Sequence, residues 1–258
     1  MMFGQAFKSR VAVVTASTSG IGKETARLLA QGGAETVVIN GRNRDTGAKV
    51  LKQLSTAFPA TNFRFIAGDL NIPEQSHALF DQIQREIGRL DIFVHCGGSQ
   101  VRPEFFTRMD PGTYQEQIDG HFKSFVICCQ RTIPMMAPGG SIVAIASDAG
   151  KVATPAETMI GAMKAAVIMF SRTLAMEVSR QGIRVNVVTP SLVANTVSYD
   201  RVMSGETSSK IFGKATSKAK LGLPTPEDVA PLAVFLSSPY ASKITGQAVS
   251  VNGGISAA

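Results

Sequence analysis

Tryptophan is absent from this sequence, cysteine occurs three times, and no uninterrupted apolar run reaches the roughly 18 residues of a membrane span. The opening residues also lack the apolar core of a signal peptide. Cys96, Cys128 and Cys129 show no metal-ligand spacing, and we expect them to be small hydrophobes in buried segments. Buried free thiols suit a reducing compartment, so these features favour a cytoplasmic protein with no metal site and no membrane contact.

The charge balance is basic, with a formal net charge of +7, but the basic residues do not cluster into tracts. Anionic small molecules, such as phosphorylated cofactors or coenzyme A thioesters, fit this balance at least as well as nucleic acid does. A solvated basic surface needs no ligand at all. We therefore expect a small-molecule substrate and no nucleic-acid partner.

Short apolar runs alternate with amphipathic stretches along the whole chain, which is typical of strands alternating with helices. Right-handed crossovers make such an alternation a doubly wound α/β sheet. We predict a single Rossmann-type domain over residues 1–258, with about seven parallel strands and helices on both faces. The predicted strands are 10–16, 36–40, 63–67, 90–95, 142–146, 183–189 and 247–251.

The first predicted strand leads through STSGIG into an amphipathic helix. Gly20 and Gly22 in this turn would let backbone N–H groups approach a pyrophosphate at the helix N-terminus. The glycine pattern alone is a weak signal, and an ordinary turn between strand and helix is the alternative. Its position between a strand and a helix favours dinucleotide binding.

The second predicted strand ends at the position where NAD-binding units carry an acid for the ribose hydroxyls. Here that position is Gly41, with Arg42 and Arg44 beside it. An arginine can pair with a 2′-phosphate that a carboxylate would repel, which favours NADP(H) over NAD. The alternative is that these arginines only cap a surface loop.

Polar groups and glycines follow the other strands. Asp69 could reach an adenine amino group or serve a helix N-terminus, and Gly97 permits close backbone approach to a ligand. Ser147 follows the fifth strand, and Lys164 shares a face with Ile160 on the next helix, predicted from about residue 156 to 180. Ser147 and Lys164 can therefore form a catalytic pair at the edge of the sheet where ligands bind.

Two further segments carry candidate functional residues. His121 lies in a long predicted helical segment, 111–136, where a lone histidine is by default structural. Residues 191–220 are rich in Ser, Thr and Lys, with five basic and two acidic side chains. A loop of this length in a compact domain is usually functional, so we expect a substrate lid there.

These residues together resemble the short-chain dehydrogenase/reductase family over almost the whole chain. The resemblance is carried by TASTSGIG at 15–22, GDL at 68–70, Ser147, Lys164, RVNVVTP at 184–190, PEDVA at 226–230 and ITGQAVSVNGG at 244–254. It implies a nicotinamide-dependent oxidoreductase, usually a homotetramer or homodimer packed through the long helices after strands four and five. In the family, the lysine binds the nicotinamide ribose and lowers the pKa of a tyrosine four residues before it. That tyrosine protonates the substrate oxygen, which the serine orients.

The sequence departs from the family pattern at several positions. Ile160 occupies the tyrosine position, and His121 aligns with the family's catalytic asparagine. The family's NNAG is HCGG at 95–98, its PG is Pro190-Ser191, and the first glycine of TGxxxGIG is Ala16. An isoleucine cannot donate a proton, so any carbonyl reduction needs another acid.

Pattern and resemblance together define a set of predicted site residues. The catalytic candidates are Ser147, Lys164 and His121. The predicted cofactor-binding residues are Thr15, Ser17, Ser19, Gly20, Ile21, Gly22, Arg42, Asn43, Asp69, Leu70, Gly97, Lys164, Pro190 and Val193.

Three functions remain open at this point. The first is reduction of an enoyl thioester, in which a hydroxyl such as Ser147 stabilises an enolate oxygen and water supplies the proton; the 2,4-dienoyl-CoA reductases are similar in lacking that tyrosine. The second is carbonyl chemistry with a relocated acid, either His121 or Tyr199. The third is an NADP-binding protein that acts as a partner subunit, a sensor or an isomerase without redox chemistry.

Overall fold

The computed structural model describes residues 3–257, which form one seven-stranded parallel sheet with strand order β3-β2-β1-β4-β5-β6-β7. The alternation of apolar runs and amphipathic stretches therefore folds into the predicted doubly wound sheet, and the prediction of the fold class is confirmed. The strands are β1 Val11–Val14, β2 Thr36–Gly41, β3 Asn62–Ala67, β4 Leu90–His95, β5 Met136–Ile145, β6 Arg184–Pro190 and β7 Ala248–Val251.

Helices cover both faces of the sheet because each crossover between parallel strands must pack an apolar stripe onto it. Helices α1, α2 and α9 contribute to one core cluster and α3, α5 and α6 to the other. The helices are α1 Gly20–Gln31, α2 Arg44–Ala57, α3 Pro73–Glu86, α4 Tyr114–Ile118, α5 Ser124–Thr132, α6 Thr158–Val178, α7 Val197–Met203, α8 Glu206–Thr216 and α9 Pro226–Ser237.

The core is built from the strand residues themselves, which are buried on both faces. Val13 faces the cluster with Phe80 and Phe125, whereas Val14 faces the cluster with Leu29 and Val234. Successive strand residues point to opposite sides, so one apolar run supplies both clusters. This explains why the central strands appear in the sequence as continuous apolar runs without alternation.

Two predicted segments fold differently from the prediction. The segment 111–136 is not one helix, because a π-helical turn at Asp119–Lys123 separates α4 from α5, and Met136 already begins β5. The segment 191–220 is not a loop, since it folds into α7 and α8. Leu192, Val202 and Phe212 form a small apolar cluster there, which supplies the burial that the Ser-, Thr- and Lys-rich composition obscured.

The stretch Thr158–Gln181, which extends α6 by one turn, is long and apolar enough to cross a membrane by length and composition alone. Core helices of water-soluble domains pass the same test. Val167, Leu174 and Val178 on this helix pack into the core under the sheet, whereas Met169 and Met176 are exposed. The helix thus has one face on the sheet and one apolar face without a partner in the described chain.

Candidate active-site cleft

The strand order reverses between β1 and β4, and ligands of open α/β sheets bind at the carboxyl ends of the strands at such a point. A cleft of about 450 Å³ lies there. Its walls include thirteen of the residues predicted from the sequence. They are Ser19, Gly20, Ile21, Gly22, Arg42, Asp69, Leu70, Gly97, His121, Ser147, Lys164, Pro190 and Val193.

The turn between β1 and α1 forms one end of the cleft. A Cβ atom on Gly22 would lie 2.6 Å from the Ala16 carbonyl oxygen, so the close approach of helix to turn requires glycine there. Ser19 precedes α1 without a side-chain capping bond, and the first turn carries no acidic residue. The first N–H groups of α1 therefore remain available to an anion, as a pyrophosphate requires.

Ala16, at the position of the family's first glycine, has a φ of +47°. This left-handed conformation favours glycine, because an L side chain crowds the following carbonyl oxygen. The backbone of this turn has a conformation typical of glycine although the residue is alanine. Ala16 is therefore locally strained.

Thr15, Ser17 and Asn43 are predicted cofactor residues that do not line the cleft. The Ser17 hydroxyl donates to the Val14 carbonyl at 2.6 Å and accepts from the Asn40 N–H at 3.0 Å. Thr15 is fully buried, and Asn43 caps α2 by accepting from the Thr46 N–H at 2.8 Å. These side chains hold the shape of the turns around the cleft.

Arg42 follows β2 at the same end of the cleft and is half exposed. Its guanidinium lies 3.6 Å from the carboxylate of Asp69, which follows β3. The two groups thus lie side by side where an adenosine would bind. The guanidinium retains unpaired donors that could bind a phosphate.

Ser147 and Lys164 meet at the other end of the cleft. The Ser147 hydroxyl accepts from the Ala149 N–H at 3.2 Å, and the Lys164 ammonium donates to the Ile145 carbonyl at 3.5 Å. Burial lowers the pKa of Lys164 to about 8, and Cys96 and Glu157 partly oppose that shift. Lys164 thus remains mostly charged at neutral pH, where it can hold polar groups of a ligand and stabilise a developing negative charge.

Ile160 lines the cleft between these residues and is 8% exposed. Its side chain lies one turn before Lys164 and presents only carbon to the cleft. The phenol among the cleft-lining residues is that of Tyr199, on α7 in the 191–220 segment. No phenol therefore adjoins Lys164 along α6.

His121 sits in the π-helical turn, a structure that often occurs at functional sites. A Cβ atom on Gly120 would lie 2.8 Å from the backbone of Ser99, so glycine lets this turn approach the chain after β4. The Ser99 N–H then donates to His121 Nδ1 at 3.5 Å. Burial, Lys164 and Arg201 lower the pKa of His121 to about 3.

A neutral imidazole that accepts at Nδ1 carries its proton on Nε2. The Nε2 atom of His121 is buried and has no hydrogen-bond partner among the described residues. His121 can therefore donate a hydrogen bond near the cleft. With so low a pKa it stays neutral well below pH 7, so it cannot serve as the protonated acid that the sequence left open.

Glu157 lines the cleft and was not identified from the sequence. It directly precedes α6 and lies three residues before Ile160 and seven before Lys164, so the three residues share one helix face. Burial raises the pKa of Glu157 to about 7; Lys164 lowers it and Asp148 raises it further. The spacing to Lys164 was the signal that could have identified it.

Part of the segment 191–220 borders the cleft, and whether it acts as a lid stays a prediction. Thr196, Tyr199 and Arg201 all line it, and the Arg201 guanidinium donates to the side chain of Gln100 in the chain after β4. The segment is thereby tied to the opposite wall. Burial lowers the pKa of Arg201 from its usual value, and the charges of Arg42 and Arg102 lower it further.

The residues present fit a nicotinamide dinucleotide. The free amides of the first turn of α1 and the Arg42 guanidinium suit its phosphates, and Lys164 suits its ribose hydroxyls. Pro190 and Val193, after β6, line the region beside Ser147. The cleft thus has an anion-binding end and an end with titratable groups.

Comparison with known proteins agrees with this geometry. Residues 15–256 match the model of a family described as enoyl-(acyl carrier protein) reductase. A 3-oxoacyl-(acyl-carrier-protein) reductase from Chlamydia muridarum is 32% identical over 250 residues, which cover 96% of this chain and 97% of the relative.

Solved structures show the same architecture. A short-chain type dehydrogenase/reductase from Mycobacterium ulcerans superimposes with a TM-score of 0.86 at 28% identity, covering 96% of this chain and 90% of the other. A short chain dehydrogenase from Burkholderia cenocepacia in complex with NADP has a TM-score of 0.87 at 22% identity, covering 98% of this chain and all of the other. With its fold, its cleft and these relatives, the chain belongs to the short-chain dehydrogenase/reductase family of oxidoreductases.

Proposed function

We propose that this protein is an NADP(H)-dependent oxidoreductase that transfers hydride to a carbonyl or enoyl group of a small-molecule substrate, with an acyl thioester as the favoured class. The observation that carries the proposal is the cleft itself. It is lined by the turn at Gly20, whose amides could bind an anion, by Ser147 after β5 and by Lys164 on α6.

The residues at the end of β2 support NADP(H) rather than NAD(H) as the cofactor. Arg42 lines the cleft there, and the acid that would hold the ribose hydroxyls of NAD is replaced by Gly41. A guanidinium binds a 2′-phosphate through charge-assisted hydrogen bonds. NADPH, when bound, supplies the hydride.

The chain's own groups orient the substrate and stabilise charge. The Ser147 hydroxyl donates a hydrogen bond to the substrate oxygen, and the charged Lys164 stabilises the negative charge that grows on that oxygen. Lys164 is buried, and the exclusion of water from its surroundings strengthens this electrostatic interaction. Both an alkoxide and an enolate would be stabilised in this way.

An acyl thioester is supported by two observations. The family model and the Chlamydia muridarum relative are both named for reductases of acyl groups on acyl carrier protein. In addition, the Arg201 guanidinium lines the cleft and interacts electrostatically with Arg102, so phosphates of coenzyme A or of a carrier's phosphopantetheine could bind there.

The test is NADPH oxidation, followed at saturating cofactor with matched 3-oxoacyl and enoyl chains on coenzyme A and on acyl carrier protein. Simple ketones without a thioester serve as controls. We expect turnover of at least one thioester with NADPH and much weaker turnover with NADH. If NADPH is not oxidised with any of these substrates, the proposal is overturned.

A second candidate is an NADP-binding protein without redox activity, which Ile160 favours because it removes the family's proton donor. Tight NADPH binding measured by fluorescence, together with no hydride transfer to any substrate, would support it. The Ile160→Tyr variant distinguishes the two cases. Appearance of ketone reduction only in that variant would mean that the scaffold is intact and that the wild type lacks an acid.

We further propose that copies of the chain associate through α6 and the neighbouring α5. Met169 and Met176 are exposed on α6, and this apolar face has no partner within the described chain. A homotetramer or homodimer would cover it. Light scattering should give a multiple of the 27.3 kDa chain mass, and Met176→Glu should shift the distribution toward monomer.

A further inference from the structure

The cleft contains Ile160 where the family places a proton donor, so the proton for carbonyl reduction must come from another group. We propose that the carboxyl group of Glu157 is the general acid that protonates the substrate oxygen in this protein. This rests on the proposed function, because it assigns the proton source for that reaction and commits to a carbonyl substrate.

Placement is the first argument. Glu157, Ile160 and Lys164 line the same cleft from one face of α6 and the residue before it. A Cβ atom on Gly161 would lie 2.9 Å from the Ala149 carbonyl oxygen, so the first turn of α6 packs against the turn that follows Ser147. Glu157 therefore borders the cleft at the end of α6 that packs against the turn after Ser147.

The backbone before Glu157 is held in a strained conformation. Ala156 has a φ of +69° although it is not glycine, and it is 2% exposed. Its carbonyl oxygen accepts a hydrogen bond from the Glu104 N–H at 3.0 Å. Strain of this kind persists only where the surroundings enforce it, and here it fixes the direction in which the chain enters α6.

The surroundings of the carboxyl group favour an acid that can both hold and release a proton. Glu157 makes no side-chain hydrogen bond or ion pair with any residue in 3–257, and it does not cap α6. Burial raises its pKa to about 7, against the lowering effect of Lys164. The N-terminus of α6 also favours the anion, so burial must outweigh two opposing influences.

Other titratable groups face the same cleft. Burial raises the pKa of Cys96 to about 12, and the pKa of His121 is lowered to about 3, so both are neutral near pH 7. Neither group can deliver a proton readily at that pH. The remaining titratable or charged side chains near Glu157 are Asp148 and Lys164, and those elsewhere on the cleft walls are Arg42, Asp69, Tyr199 and Arg201.

The proposed step balances. As hydride forms a bond to the carbonyl carbon, the electron pair of the C=O π bond moves to oxygen, and that oxygen takes the carboxyl proton of Glu157. The product is an alcohol and the carboxylate, which regains a proton from water. In the direction of alcohol oxidation the carboxylate accepts the hydroxyl proton, and the C–H electron pair leaves as hydride to NADP⁺.

The experiment compares Glu157→Gln with the wild type on the best carbonyl substrate from the thioester panel. We expect kcat to fall about 10²- to 10⁴-fold, as for loss of a general acid, with the Kd for NADPH unchanged. In the wild type the rate of reduction should fall as pH rises through about 7, where Glu157 loses its proton. In Glu157→Gln the fall should instead begin only near pH 8, where Lys164 loses its charge, whereas Glu157→Asp should retain the fall near pH 7.

Glu177→Gln is the matched control, since it makes the same change on the exposed part of α6 and should leave rate and pH profile unaltered. The double variant Glu157→Gln with Ile160→Tyr should regain reduction, because a phenol beside Lys164 supplies the proton. A collapse of the site, in contrast, would not be rescued by a phenol. Full reduction by Glu157→Gln alone would overturn the proposal and leave the proposed function intact.

A readout independent of turnover is the infrared band of a protonated carboxyl, obtained as the difference between the wild type and Glu157→Gln. It should titrate near pH 7. If the wild type reduces no substrate, the proposed function fails, and this titration still decides the state of Glu157. A band that titrates near the ordinary glutamate range, about 4.3, would overturn the assignment of Glu157 as the acid.

Discussion

The two ends of the cleft are built by different means. The end beside α1 consists of backbone: the turn from Ala16 to Gly22 and the free amides of the helix. The end beside α6 consists of side chains, with Ser147, Lys164 and Glu157 around Ile160. At the first end Ala16 adopts the left-handed conformation that favours glycine, whereas at the second end Ile160 lies one turn before Lys164.

This difference shows which part of such a site can change. A binding site made of backbone amides depends on the path of the chain. One altered residue therefore introduces local strain but leaves the amides in place. A side-chain function depends on one group at one distance. That group can be replaced by another of suitable pKa on the same helix face, one turn away. The following predictions test how sharply the two ends differ.

After the loss of kcat in Glu157→Gln, the largest effect is expected for Lys164→Met. The rate of hydride transfer should fall about 10²- to 10³-fold, because the charge that stabilises the substrate oxygen is removed. The variant should nevertheless unfold at a higher temperature at pH 7, with a gain on the order of 1–3 kcal/mol, since burial disfavours the Lys164 ammonium. Steady-state kinetics and thermal unfolding measure the two effects separately.

The sign of that gain follows from the lowered pKa of Lys164, about 8 in the folded protein. The folded state loses the proton first as pH rises, so the wild type gains stability between about pH 8 and the ordinary lysine pKa near 10.4. The advantage of Lys164→Met should therefore shrink over that range. A variant that is inactive and also unfolded at pH 7 would contradict the prediction.

Arg42→Ala tests the other end of the cleft. Its KM for NADPH should rise about 10- to 100-fold, as for loss of hydrogen bonds to a charged group, while kcat changes little. The KM for NADH should stay the same, because NADH lacks the 2′-phosphate. Arg44→Ala is the control, since Arg44 begins α2 outside the cleft lining. Equal losses with the two cofactors would show that Arg42 does not recognise the phosphate.

Glu157→Gln should change stability with a pH dependence opposite to that of most carboxylates. The folded protein holds this proton up to about pH 7, whereas the unfolded chain releases it near 4.5, so the wild type loses stability as pH rises between these values. Above pH 7 the variant should be more stable by on the order of 1–3 kcal/mol. Below pH 4.5 the difference in the free energy of unfolding between the wild type and Glu157→Gln should not change with pH. Urea titrations at a series of pH values measure it.

The smallest effect is expected for Ala16→Gly, at the strained turn. Relief of the left-handed conformation, about 1–2 kcal/mol, is partly offset by the greater freedom of glycine in the unfolded chain. We expect a net gain of about 0.5 kcal/mol and unchanged kcat. Ala30→Gly in α1 should instead lose about 1 kcal/mol. Chemical denaturation of both variants measures their free energies of unfolding and shows whether the turn at Ala16 is strained.

Much of the fold could be predicted because the strands are buried on both faces and appear as apolar runs. Val11–Val14 and Leu90–His95 are examples, and their order follows from right-handed crossovers. The segment 191–220 could not be predicted in the same way. Its helices depend on a cluster around Val202 and Phe212 whose members are spread among polar residues, so no local pattern reveals it.

The site was predicted in part for the same reason. Motif positions such as Gly22 and Arg42 lie at strand ends, where the topology alone places them in the cleft. Thr15, Ser17 and Asn43 adjoin these positions in sequence, yet their side chains turn inward or cap a helix. Neighbouring residues in a turn point in different directions, and sequence spacing does not reveal which of them face a ligand.

The sequence by itself determined the doubly wound sheet, the anion-binding turn and the absence of tyrosine at position 160, because these depend on local patterns and on residue identity. Only the tertiary structure decided the protonation of His121 and Glu157. Their pKa values depend chiefly on burial, which the packing of segments far apart in sequence creates, and also on the charge of Lys164. The fold therefore brings His121 to the same cleft as Glu157 and Lys164, although it lies on a different segment of the chain.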